Sequence, residues 1–281
     1  MKFSAILLSG AVAAAAFAAP AVAKDWKTAT ITLEGAYAPW NMTNADGSLG
    51  GFEPELAKVL CERAKIDCKL VASDWDGMIP ALTVGKFDAI MSGMAITEKR
   101  RRSIAFSRPY AGGFNQLVMR KDLQLPQTDT KINLTSVGKA QEAVLEQLQS
   151  ALSGKTLGVL RSSNSEAVLN DLFGKVATIR SYDTQDNLHL DLAAGRIDGG
   201  LADYFTWKTF LDSKDGETAA FYGPELSGGL WGPGVGVGIR KDDTALVADF
   251  DKAIQDCIAD GTLKNLSLKW FGIDISPPTT P

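Results

Sequence analysis

KFDAIMSGMAITEKRRRSIAFSRPY, residues 86–110, decides how this chain is read. Its apolar run from Phe87 to Met91 predicts a buried strand of a parallel sheet. Ser92 and Gly93 follow, small residues that let another molecule approach the backbone. Thr97 has the chemistry of a helix N-cap, and Glu98 stands in the first turn, where a carboxylate complements the helix dipole. Arg100 falls in the same turn. A guanidinium beside unpaired N–H groups, behind small residues, makes a trap for a carboxylate. A solvated basic helix start is the plainer reading, because Arg101 and Arg102 share the run. Spacing alone leaves both open.

Outward from this stretch, one plan is written twice. The first copy predicts a strand at Thr30–Leu33, a helix at 54–64 and a strand at Cys68–Ala72. A helix at 77–84 then ends at Gly85, and the strand KFDAIM closes the unit. The second copy predicts a strand at Lys155–Leu160, a helix at 165–173 and a strand at Val176–Arg180. A helix at 185–194 ends at Gly195, and RIDGGL closes that unit. Gly85 and Gly195 occupy equivalent places, as residues that end a helix in the left-handed region. Alternating strands and helices predict α/β lobes with parallel sheets covered on both faces. Ligands of such sheets bind beyond the carboxyl ends of the strands. The first copy offers Glu34, Tyr37, Trp75, Ser92 and Gly93 there. The second offers Arg161, Ser163, Asn164, Tyr182 and Asp203. Two such lobes face to face would enclose a small molecule.

Each candidate has a plain alternative. Ser163 and Glu166 have capping-box spacing, so the segment from Ser163 through Asn164 and Ser165 is either a capped helix start or a second set of N–H donors for an anion. Asp203 is a helix cap or the partner of an ammonium group. Glu34, Tyr37, Trp40 and Trp75 are core and rim residues, or a carboxylate among aromatic faces that receives a cationic side chain. Stacking a guanidinium on such a ring contributes on the order of 0.5–2 kcal/mol. His189 lies within a helical pattern and reads as structural. No GxSxG elbow, Walker loop or HExxH motif occurs, and no catalytic residue is assigned.

Lys2, the apolar stretch from Ile6 to Ala19 and Ala21-Val22-Ala23 read as an export signal cleaved after Ala23. The 33 acidic residues outnumber 29 basic ones, a formal net charge of −4, which argues against a nucleic-acid partner and leaves cationic ligands open. Of three cysteines, Cys61 and Cys68 are close enough for a short-loop bridge in an oxidising compartment, worth roughly 2–3 kcal/mol in the chain-entropy model. Cys257 is left as a buried free thiol on a helical pattern. A single histidine and the absence of a CxxC pair give no reason to expect a metal or another cofactor. Between the copies, Gln124–Ser153 is polar and weakly patterned, then amphipathic from Lys139 to Leu152 and expected to pack on the second lobe. Glycine and proline crowd 223–238. Val235–Ile239 is expected to rejoin the first sheet, and Thr244–Phe271 to be helical.

EGAYAPW (34–40), GFEPEL (51–56), SDWDGMIPAL (73–82), the stretch 86–110 and GVGVGIRKDD (234–243) together resemble the bacterial extracellular solute-binding proteins of family 3, the receptors of polar amino-acid ABC importers. The resemblance covers the chain beyond its leader. It implies a two-lobed periplasmic-binding-protein fold of type II, each lobe a mostly parallel sheet flanked by helices, joined by two crossing strands. The expected division is a leader over 1–23, a first lobe from 24–112, a second lobe over 113–225, and a return to the first over 226–281. By position, Arg100 looks like the family's carboxylate-binding arginine and Asp203 like its ammonium-binding aspartate. Glu34 stands where lysine/arginine/ornithine receptors place an acidic side-chain sensor. Tyr37 and Trp75 match their stacking aromatics, and Cys61 and Cys68 their disulfide.

A narrower likeness, through EGAYAPWN, LSGGL (226–230), NLSLKWF (265–271) and the extra helix before Ser153, is to the octopine and nopaline receptors. Members binding those opines tend to be neutral where Asp203 stands, whereas Asn115 is a polar contact that would suit such a ligand. Gly93 and Ala95, where many relatives carry serine, remove hydroxyls and are expected to leave room for a larger ligand. The expectation is a monomeric periplasmic receptor for a cationic L-amino acid, arginine first and lysine, ornithine or histidine after it, delivering to a membrane permease. An arginine-derived opine is the alternative ligand. A periplasmic dehydratase on the same fold, or a sensor domain, is the alternative class.

Overall fold

The computed structural model describes residues 25–126 and 130–277, so the expected leader lies outside the described residues. Two sheets carry the fold. The first has five strands in the order Asp67–Ala72, Thr28–Leu33, Ala89–Ile90, Gly238–Ile239, Ala105–Phe106. Its first three run parallel, and Gly238–Ile239 is antiparallel to both neighbours. The second has six strands in the order Thr178–Tyr182, Thr156–Leu160, Gly199–Asp203, Asn115–Arg120, Ala219–Ser227, Ile132–Asn133. Again three parallel strands meet an antiparallel one, here Asn115–Arg120. The sheets are therefore mixed. In each, a strand arriving from the other lobe enters against the direction of the parallel set.

The repeat is visible in hydrogen bonds. Asp88 Oδ2 accepts from the Thr30 amide at 2.9 Å, and Asp198 Oδ2 accepts from the Thr156 amide at 2.8 Å. Each aspartate ties its lobe's third strand to the first. Each also meets an arginine from the antiparallel strand or just beyond it: Arg240 lies 2.8 Å from Asp88, and Arg120 lies 4.0 Å from Asp198. Gly85 and Gly195 end their helices at φ +78° and +68°.

The helix Phe52–Ala64 buries Phe52, Leu56, Ala57, Leu60 and Cys61, one face at helical spacing, against the first sheet and the helix Thr244–Ala259. Gly51, at φ +115°, is needed before it, because a β-carbon there would fall 2.6 Å from the Trp40 carbonyl oxygen. Burying each large aliphatic side chain stabilises the fold by about 1.5–3 kcal/mol relative to exposure. Cys61 and Cys68 are bonded, and Cys257 is a buried free thiol, pushed up to about 11 by burial.

Three details depart from the sequence reading. The helical end breaks at Gly261 (φ +80°) into Thr244–Ala259 and Thr262–Phe271. Of Val235–Ile239 only Gly238–Ile239 is a strand, while Val235 makes isolated bridges to Ala95 and Ala111. The polar stretch after Gln124 contributes an edge strand, Ile132–Asn133, before the amphipathic helix Lys139–Ala151 seats Leu148 in the second lobe's core. A small sheet of Ala36–Tyr37, Asn41–Thr43 and Leu49–Gly50 carries Tyr37 out from the first lobe.

Candidate functional site

A cavity of about 490 Å³ lies between the carboxyl ends of the two parallel sets, within the range of small-molecule sites. Glu34, Tyr37, Trp75, Ser92, Gly93, Ala95 and Arg100 line it from the first lobe. Asn115, Ser163, Asn164, Ser165 and Asp203 line it from the second.

Arg100 is held by a single helical turn, Glu98–Arg101. Thr97 caps it, its Oγ1 accepting from the Arg100 amide at 3.2 Å. The guanidinium folds back to donate to the Ala95 carbonyl at 3.0 Å and lies over the Trp75 ring, 5.1 Å from its centroid. Arg100 is only 9% exposed, and among the described residues no carboxylate comes within ion-pair distance of it. Burial lowers its pKa to about 10, so the group remains cationic at neutral pH.

Opposite, Ser163 caps the helix Asn164–Phe173, its Oγ accepting from the Glu166 amide at 3.1 Å. Glu166 does not complete the capping box. It accepts instead from the Ser162 amide at 2.8 Å, one residue earlier, where Ser162 turns at φ +59°. The Ser165 hydroxyl donates to Asn115 Oδ1 at 3.3 Å and accepts from the Trp231 indole at 3.3 Å. Asn164 Nδ2 is buried without an acceptor.

Asp203 ends its strand and caps the helix Tyr204–Leu211. Burial pushes its carboxyl up to about 6, against the hydrogen bonds that hold it charged. Glu34 is the more perturbed acid. Burial, reinforced by the carboxylates of Asp186, Glu53, Asp76 and Asp183, raises it to about 8, and its Oε1 has no partner. Its amide donates to Ser92 Oγ at 3.0 Å. Two charges of opposite sign and one uncharged, proton-holding acid thus face one space, and among the described residues none of the three has a counter-charge.

Glu53, from GFEPEL, was not singled out from sequence. Its buried carboxylate accepts from the Gly93 amide at 2.7 Å, from Asn41 Nδ2 at 2.6 Å and from the Tyr110 hydroxyl, and so fixes the loop that carries Ser92 and Gly93. Asn133, Thr135, Ser136, Ser227 and Trp231 also line the cavity. The first three lie in the stretch whose polarity carried no pattern. Only LSGGL hinted at Ser227.

Two candidates fall outside. Arg161 pairs with Asp76 of the facing lobe at 2.6 Å, and the Tyr182 hydroxyl donates to Asp191 of its own lobe at 2.7 Å, and neither residue lines the cavity. The expected room at Gly93 is also absent, because the Tyr37 ring fills it. His189 stacks on Phe210 at 4.5 Å and meets Gln185 at 3.0 Å, away from the cavity.

Two lobes closing a charged cavity at a crossing of strands define a ligand receptor of the clamp type. Residues 29–273 match the bacterial extracellular solute-binding proteins, family 3, and the chain belongs to that family. It is 37% identical over 272 residues to the octopine-binding periplasmic protein of Rhizobium meliloti, covering 89% of this chain and 92% of that one. It is 34% identical to the L-arginine-binding protein of Pseudomonas aeruginosa, covering 96% and 97%. A solved ancestral arginine-binding protein bound to arginine superposes with a TM-score of 0.74 at 25% identity, covering 89% of this chain and all of the other.

Proposed function

We propose that this protein is an exported receptor for a cationic L-amino acid, arginine first, serving the permease of an ABC importer. One observation carries the reading: the buried Arg100 and the half-buried Asp203 stand on opposite sides of the same cavity, and among the described residues neither is neutralised by an opposite charge. An amino acid's carboxylate and ammonium satisfy both at once. Arg100 and the amides at Ser163–Ser165 take the carboxylate, and Asp203 takes the ammonium. Glu34 takes the guanidinium, with Tyr37 and Trp75 as its aromatic walls. Ser92, Ala95 and Asn115 supply the remaining polar and backbone contacts, and Gly93 seats the Tyr37 ring against them.

The lobes divide near 112 and 226, the chain works as a monomer, and it binds without chemical conversion. Because the ligand touches both lobes only when they are closed, binding shifts the population toward the closed state. The periplasmic location rests on the leader pattern and on relatives named as periplasmic.

The alternative ligand, an opine such as octopine or nopaline, is favoured by one feature. The cavity continues past Asn115 along Asn133, Thr135, Ser136 and Ser227, an uncharged polar wall suited to a second carboxylate.

A thermal-shift panel on refolded, ligand-free protein tests both readings. A ligand at about 1,000 times its Kd adds roughly 4 kcal/mol. Arginine should stabilise strongly and be recovered intact. Strong stabilisation by octopine without any by arginine would replace the first ligand with the second.

A further inference from the structure

Trp40 is 2% exposed, packed edge-on to Phe52 and tilted against Phe271 in the interior of the first lobe. Its only polar atom crosses to the second lobe. Nε1 donates to Asp203 Oδ1 at 2.9 Å. The same oxygen accepts from the amides of Phe205 at 3.0 Å and Thr206 at 3.2 Å. Those two amides belong to the helix that Asp203 caps, so they orient the carboxylate only relative to its own lobe. The indole is the donor that comes from the opposite lobe. With Oδ1 engaged three times, Oδ2 faces Gly113 on the cavity wall: a β-carbon at Gly113 would lie 3.5 Å from it.

We propose that Trp40 is a positioning residue for recognition of the ligand's ammonium group: its indole N–H, reaching across from the first lobe, fixes Asp203 so that Oδ2 is presented to the cavity. The inference rests on the reading of Asp203 as the ammonium acceptor. It makes affinity for the amine a joint property of the two lobes. A phenylalanine at this place would keep an aromatic ring against Phe52 and Phe271 but supply no donor.

The test compares arginine with 5-guanidinopentanoate, which lacks the α-amine, by calorimetric titration of wild type, Trp40→Phe, Asp203→Asn and the double variant. Wild type should prefer arginine. Trp40→Phe should lose about tenfold or more in arginine affinity, the scale of a hydrogen bond to a charged group, and leave the analogue within about twofold. In the Asp203→Asn background the Trp40→Phe change should add nothing. Equal losses for both ligands, or losses that multiply in the double variant, would make Trp40 a packing residue only and overturn the inference. A wild type that does not distinguish the two ligands would instead overturn the reading of Asp203.

An NMR measurement needs no change at Trp40. In Asp203→Asn, the assigned Trp40 indole N–H resonance should shift upfield while that of Trp270, which donates to Glu55, stays in place. An unmoved Trp40 resonance overturns the inference even if Trp40→Phe fails to fold.

Discussion

Trp75 and Arg161 meet from opposite lobes: the Trp75 indole donates to the Arg161 carbonyl at 3.1 Å, while the Arg161 guanidinium reaches Asp76, the neighbour of Trp75, at 2.6 Å. Trp75 also supplies the face on which Arg100 lies. One aromatic residue therefore joins the Arg100 guanidinium to a contact between the lobes.

The ion pair of that contact is exposed, with side chains 52% and 37% accessible, so its contribution is at most about 1 kcal/mol. Arg161→Ala should weaken arginine binding by about fivefold or less. The change should appear in the dissociation rate, and stopped-flow fluorescence separates it from association. A loss of a hundredfold would mean that Arg161 contacts ligand.

Glu34 is raised to about 8, chiefly by burial, and a guanidinium beside it favours its charged form. Near pH 7, binding a cationic side chain should therefore release close to one proton from Glu34, falling to about half a proton at pH 8, and affinity should rise with pH up to about 8. Calorimetry in buffers of different ionisation enthalpy measures the release directly. Glu34→Gln should abolish most of it at pH 7 and cost at least tenfold in arginine affinity. Asp203, raised to about 6, adds its own release only at lower pH.

Gly93 sits at φ +57°, and a β-carbon there would stand 3.0 Å from Tyr37 Cε1. Gly93→Ser should strain the backbone by about 1–2 kcal/mol and displace the Tyr37 ring. Arginine affinity should fall at least tenfold, while Ala95→Ser changes it little. Titration of both variants checks the contrast.

Burial pushes the His189 imidazole down to about 3 from an ordinary 6.5. A depressed cationic group is neutral in the folded state, so its stabilising contribution is full above pH 6.5 and declines as pH falls toward 3. The slope is at most about 1.4 kcal/mol per pH unit. The raised carboxyls of Glu34 and Asp203 act in the opposite direction, gaining stability as they protonate. The denaturant stability of wild type relative to His189→Phe should therefore fall steadily from pH 6.5 to 4. A difference independent of pH would mean that the imidazole is hydrated.

Much of this was written in the sequence, because repetition and periodicity are local. GKFD and GRID marked two lobes, and of the ten residues that the strand ends offered the structure gathers eight around one cavity; Arg100 and Ser165, from the two helix starts, and Ala95 and Asn115, from the family resemblance, join them. What was not legible depends on contacts distant in sequence. Asn133 and Thr135 reach the cavity only because Ile132–Asn133 pairs with Ala219–Ser227, a register no local pattern announces. The empty place beside Gly93 is closed by Tyr37, 56 positions earlier, and Arg161 is drawn off by an aspartate from the facing lobe. The two crossing strands were expected but their antiparallel direction was not, because direction follows from where a strand comes from and not from its composition.

Phe205 belongs to the chain of the second lobe, yet its ring is buried among the residues of the first, 4.7 Å from Phe271. The halves therefore share part of one interior. Heating should not melt them one after the other: loss of either strips the apolar lining from its neighbour, and a calorimetric scan should show a single cooperative heat-absorption peak.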